Sequence, residues 1–136
     1  MSEQEAAMGQ QDAGKTDAVR RADGMQVRRA VLGDEHVDRA NEKITELDAE
    51  FQDFITRVAW GDIWSRPGLG RRERSIAVLT ALITAGNFEE VPMHLRAAIR
   101  NGLSKDELIE VLLQSAVYAG VPRANHAFKL LKETLG

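Results

Sequence analysis

The stretch Ser104-Lys-Asp-Glu-Leu-Ile-Glu-Val-Leu-Leu-Gln-Ser-Ala-Val-Tyr-Ala-Gly-Val-Pro122 decides the fold class. Ser104 with Glu107 three residues on is a capping box: hydroxyl and carboxylate each take up an amide that a helix start leaves unpaired. An apolar helix then runs through Tyr118. Its segment Ile109-x-Val-Leu-Leu113 is apolar around more of the circumference than one small core requires. Gly120-Val-Pro122 breaks the helix, and residues 123–135 form the last one.

Working outward, Gly102 ends a helix that opens at Asn87, with Glu90 in capping-box relation. Pro92 falls one position past the comfortable first turn, which can shift the start to about Val91. Arg71–Ala85 is helical, with Ile76, Leu79, Leu82 and Ile83 inward and Gly86 as the stop. Trp60–Leu69 holds Pro67 and glycines, and reads as a loop. Before it come one helix capped by Asp34 and carrying Val37, Ala40, Ile44 and Leu47, and another carrying Phe51, Phe54, Ile55, Val58 and Ala59 and ending by Gly61. Residues 1 to about 24 lack a sustained apolar period. They read as a disordered tail, or one ordered only by a partner, ahead of a domain over 25–136. Strand-type alternation is missing. The expected fold is all-α, with about six helices.

Composition narrows the chemistry. The 136 residues are 43% hydrophobic and only 5% aromatic, so aliphatic side chains must do the packing. Cys is absent, which removes disulfides, thiolate metal sites and cysteine nucleophiles. A net charge of -3 argues against a nucleic-acid footprint. No apolar run nears the ~20 residues of a membrane span, and no secretory leader is visible, so a cytoplasmic protein is expected. Arg outnumbers Lys 13 to 5, clustering at Arg20-Arg21, Arg28-Arg29 and Arg71-Arg72-x-Arg74. Guanidinium forks suit carboxylates, which keeps small anionic ligands open; solvated helix faces explain most of them equally.

The segment Glu89-Glu90-Val-Pro-Met-His94-Leu-Arg96 stands out. Glu90 and His94 are spaced i,i+4 and share a helix face, where a carboxylate favours the protonated imidazole and suits it to general-acid work. An ordinary surface pair has the same spacing. A metal site from Glu90, His94 and His126 lacks a third ligand of diagnostic spacing. Tyr118 reads as a core residue with a bonded hydroxyl, or else as a proton donor. Trp60 and Trp64 either plug the core edge or lid a pocket. Nucleotide-binding and nucleophile-elbow motifs do not occur.

Four separated motifs carry a resemblance. They are Arg29-Ala-Val-Leu-Gly-Asp-x-His-Val-Asp-Arg-Ala40, Trp60-Gly-Asp-Ile-Trp-Ser-Arg-Pro-Gly-Leu69, Arg71-Arg-x-Arg-Ser75, and His94-Leu-Arg-Ala-Ala98-x-Arg-Asn-Gly102 through Tyr118-x-Gly-Val-Pro122-x-Ala-Asn125. In order and spacing, from about Arg28 to the C-terminus, the chain resembles the 4-carboxymuconolactone decarboxylases of protocatechuate catabolism, within the alkylhydroperoxidase D-like superfamily. The peroxidase branch carries C-x-x-C-x-x-x-H. With His94 as its histidine, the two cysteines would fall on Asn87 and Glu90, so that redox chemistry is excluded.

The resemblance implies an alkylhydroperoxidase D-like helical bundle that converts 4-carboxymuconolactone to β-ketoadipate enol-lactone. The substrate is an unsaturated lactone whose γ-carbon bears a carboxylate and an acetate arm. Its ring is its own electron sink, so no cofactor and no metal are expected. His94 is implied as proton donor or oxyanion partner and Glu90 as its orienter or relay, with the roles exchangeable. Arg72 or Arg74 would anchor carboxylates, with Trp64 and Tyr118 as further substrate-binding candidates. A homo-oligomer, trimer or hexamer, is implied. Two alternatives remain: another cofactor-free lyase or isomerase acting on a related anionic lactone, and a non-catalytic oligomeric binding protein.

Overall fold

The computed structural model describes residues 14–136, which are helical with turns and contain no strand. They fall into two compact units that divide after Gly70.

The first unit comprises α1 (Asp17–Leu32), α2 (Asp34–Glu42), α3 (Ala49–Ile55) and a π-helical segment (Thr56–Trp64) that continues α3. Thr16 caps α1, its hydroxyl accepting from the Val19 amide at 3.2 Å. The π segment packs on α1 with almost no space between the backbones. A Cβ at Gly24 would fall on the Thr56 carbonyl oxygen, and one at Gly61 would lie 2.7 Å from the Arg20 carbonyl oxygen. Side chains reinforce the crossing: Arg20 reaches Asp62 and Asp17, Arg21 reaches Asp53, and Arg57 donates to Asp53 at 2.8 Å. The Arg21 and Arg57 hydrogen bonds hold the Asp53 carboxyl down to about 2.

This crossing corrects two sequence expectations. Residues 17–24, read as tail, form the first half of α1, because Gly24 is a contact point rather than a breaker. The remainder of the expected tail, residues 1–13, lies outside the described residues. Trp60–Trp64, read as loop, is helical, because Gly61 lies inside the segment where α1 leaves no room for a side chain. The helix from Asp34 is also shorter than expected. It stops at Glu42, and the Thr45 amide turns onto the Asp48 carboxylate at 2.8 Å, leaving Leu47 92% exposed.

The second unit comprises α4 (Arg71–Ala85), a 3-10 turn (Phe88–Glu90), α5 (Val91–Arg100), α6 (Lys105–Ala119) and α7 (Val121–Leu135). Its core is aliphatic: Leu79, Ile83, Val91, Leu95, Ala98, Leu103, Leu108, Leu112 and Ala127. Each large member contributes roughly 1.5–3 kcal/mol by leaving water. The capping box of α6 is complete, with both Ser104–Glu107 bonds at 3.1 Å. Helix α5 starts at Val91, the shifted position that Pro92 allows, and Asn87 makes no side-chain cap. Gly102 at φ +105° ends the Asn101 turn where an L side chain would be strained. Along α6 an apolar stripe of Ile109, Leu113 and Val117 stays exposed, continued by Val121. No helix among the described residues is long and apolar enough to cross a membrane.

Two outcomes are expected. Gly24→Ala should destabilise the fold by about 1–3 kcal/mol or more, read by urea unfolding, because its methyl meets backbone that cannot rotate away. For Asp53 the ionised form is the one bound, so its contribution is complete above the unfolded value of about 4 and is lost as pH falls through about 2. Asp53→Asn should lower Tm at neutral pH and flatten the acid-side decline across that window.

Candidate active site

Glu90 and His94 stand one helical turn apart, on either side of Pro92. Their depths differ. Glu90 is the N-cap residue, at the end of the 3-10 turn, and its side chain is exposed. It borders an open cleft lined by residues 86–90. His94 lies inside α5 proper and is 8% exposed, with Nδ1 shielded from solvent. The helix positions around it, Val91, Leu95, Ala97 and Ala98, are all buried. The imidazole is therefore held largely out of water, where a proton or a hydrogen bond meets little competition from solvent.

The other candidates from this unit lie in varied settings. Arg72 is ion-paired with Glu107 of the α6 capping box. The Ser104 amide first, and Arg72 after it, hold the Glu107 carboxyl below its ordinary range. Arg74 is half-buried with its Nε shielded. Tyr118 is 79% exposed in the last turn of α6, so it is not the core residue that its apolar surroundings in sequence suggested. His126 packs against Phe88 with ring centroids 4.1 Å apart and the planes tilted by 34°. Among the described residues no three His, Asp or Glu side chains converge as a metal set.

In the first unit, Trp60 is buried and Trp64 half-buried, their rings stacked at 5.1 Å and 26°. Both belong to the π segment, a winding enriched at functional sites. Sequence reasoning missed one residue here as a candidate. Arg28 is only 7% exposed, and its Nε and Nη1 have no hydrogen-bond partner among the described residues. Burial depresses its pKa, and the Arg29 charge adds to that. Arg29 itself faces outward to Asp38 at 2.8 Å and Asp34 at 3.2 Å. The signal was spacing: Gly24 and Val31, four before and three after Arg28, are the other buried residues of α1.

Comparison with known proteins gives these residues a context. Residues 49–133, from α3 almost to the end of α7, match the model of the Carboxymuconolactone decarboxylase family. A 4-carboxymuconolactone decarboxylase of Acinetobacter baylyi is 44% identical over 117 residues, covering 86% of this chain and 87% of that protein. A nitrosuccinic acid decarboxylase of Metarhizium robertsii is 38% identical over 113 residues, covering 83% and 79%. A third relative, a 4-carboxymuconolactone decarboxylase of Pseudomonas putida, is 67% identical over 39 residues, covering 29% of this chain and 81% of that sequence. With the family model spanning most of the chain and the Acinetobacter relative aligned along nearly its whole length, this chain belongs to the carboxymuconolactone decarboxylase family.

Proposed function

We propose that the protein decarboxylates 4-carboxymuconolactone to β-ketoadipate enol-lactone, and that His94 lies at the centre of the reaction. The observation that carries this reading is the buried imidazole of α5, one turn after an exposed carboxylate, in a chain 44% identical to a decarboxylase of that substrate. The C–C bond to the γ-carboxylate breaks, and CO2 leaves. The electron pair spreads through the ring double bond to the lactone carbonyl, forming a dienolate. Protonation of the α-carbon then completes the enol-lactone. The protein's part is to stabilise the developing oxyanion, keep water from the departing carboxylate and deliver one proton. His94 serves as proton donor or oxyanion partner; Glu90, on the wet side, orients it or relays protons from solvent. Since the substrate holds its own electron sink, the reaction proceeds without metal or organic cofactor.

The Metarhizium relative favours a second reading, a decarboxylase of nitrosuccinic acid. There a nitro group would take the electron pair in place of the lactone carbonyl. Comparison of kcat/KM on the two acids separates the readings.

Enzymatically made lactone supplied to the purified protein should release CO2 and accumulate enol-lactone, with turnover unchanged after dialysis against a chelator. His94→Ala should lower kcat about a hundredfold or more with the fold intact by circular dichroism, and Glu90→Gln should lower it less. Near-normal turnover by His94→Ala would place the donor elsewhere. We further propose a homo-oligomer, supported by the exposed stripe Ile109, Leu113, Val117 and Val121. Sedimentation should give a multiple of 15.1 kDa at micromolar concentration, and a monomer mass would overturn the assembly.

A further inference from the structure

The cleft beside Glu90 is lined by Gly86, Asn87, Phe88, Glu89 and Glu90 and offers about 430 Å3, within the roughly 300–1,000 Å3 of small-molecule sites. Two of those residues are exposed carboxylates, so an anion entering here meets repulsion. The opposite charge comes from α7 of the same unit. Gly86 turns at φ +77°, and the space where its side chain would stand is taken by Arg123: a Cβ there would lie 2.6 Å from Nη1. Three residues on, on the same helix face, His126 packs against Phe88 and keeps that face of α7 on residues 86–88. Arg72 is answered by Glu107 and Lys129 by Glu133, but Arg123 is exposed and has no carboxylate within ion-pair distance among the described residues. Its guanidinium thus stands against the Gly86 part of the lining, and Glu90, one turn before His94, belongs to the same lining.

The chemistry of the relatives' named substrates says which anion suits this place. In 4-carboxymuconolactone the γ-carbon carries a carboxylate and a CH2–COO⁻ arm. In nitrosuccinic acid the carbon next to the nitro group carries the same two substituents. The electron sinks are unrelated, yet both molecules contain a succinate unit. One of its carboxylates leaves as CO2, and the other is untouched. A guanidinium on the leaving carboxylate would stabilise the charge that must depart and so oppose the reaction. On the surviving carboxylate it binds ground state and transition state alike, and it offsets the repulsion from Glu89 and Glu90.

We propose that Arg123 binds the surviving carboxylate of a succinate-type dianion seated in this cleft. The identity of the dianion rests on the decarboxylase reading; the cleft and the unanswered guanidinium beside it do not. Such uniform binding appears in KM rather than kcat.

Succinate, which has no electron sink and cannot react, is the probe, titrated calorimetrically into the full chain and into Arg123→Gln and Arg123→Lys. Because Arg123 is exposed and unpaired, both variants should keep the wild-type Tm and circular dichroism. Wild type should bind succinate, and Arg123→Gln should bind it about five- to twentyfold more weakly, the scale of one charge-assisted hydrogen bond in an open cleft. Arg123→Lys, which keeps the charge without the fork, should fall between. On the lactone, Arg123→Gln should raise KM by a similar factor with kcat within about threefold. Unaltered succinate affinity in Arg123→Gln would overturn the proposal, as would a wild-type chain that does not bind succinate, or a fall in kcat at constant KM. Loss of the fold in both variants would make Arg123 a structural residue and overturn it too. A changed sedimentation mass at unaltered succinate affinity would do the same, by giving Arg123 a partner on a second copy of the chain. If wild type leaves the lactone unreacted but succinate binding still depends on Arg123, the decarboxylase reading fails and the carboxylate site stands.

Discussion

Close approach of helix backbones is the constraint on which both units depend. With so few aromatic residues, the chain gains its packing energy from density, and density requires axes near enough for short aliphatic side chains to meet. In the first unit Gly24 and Gly61 supply that approach, each where any side chain would strike a neighbouring carbonyl. In the second the same part falls to small buried residues, Ser75 on α4, Ala97 and Ala98 on α5, Ser115 on α6, and Ala124 and Ala127 on α7. The leucines between them then close a core without a large ring. The buried hydroxyls stay satisfied, Ser75 accepting from Asn101 at 3.0 Å and Ser115 donating to the Val111 carbonyl at 2.8 Å.

Much of this was legible in the sequence where a local rule governs one residue. The Ser104–Glu107 box, the stops at Gly86 and Gly102, and the effect of Pro92 on the start of α5 follow from backbone groups a few residues away. Features set by distant partners were not legible. Gly24 and Gly61 look like breakers until the opposing backbone is known. Tyr118 looks like a core residue until the stripe it extends proves to face outward. Spacing put Glu90 and His94 one turn apart, but their different depths depend on the 3-10 turn that precedes Val91. The pairing of Arg72 with Glu107 spans 35 positions, beyond the reach of any periodicity.

Ion pairs tie down several of the arginines. Arg20, Arg21, Arg29, Arg39, Arg57 and Arg72 are each answered by a carboxylate nearby, an arrangement that fixes geometry and contributes little energy in water. A decarboxylase needs the opposite in a few places: polar groups held where water is scarce, so that each hydrogen bond to the reacting anion counts for more. The buried imidazole on α5 has that property.

The π segment has a consequence of another kind. Each of its hydrogen-bonded rings encloses one residue more than an α-helical ring does. It therefore acts as a phase shifter between α3 and the turn at Ser65. Loss of a single residue within 56–64 would let the stretch relax to α winding without breaking the helix, yet every side chain beyond the deletion would swing by about a quarter of a turn. The Trp60–Trp64 stack and the slot occupied by Gly61 would fall out of register together. Variation in length is thus forbidden here by angle, even though the backbone itself would accept it.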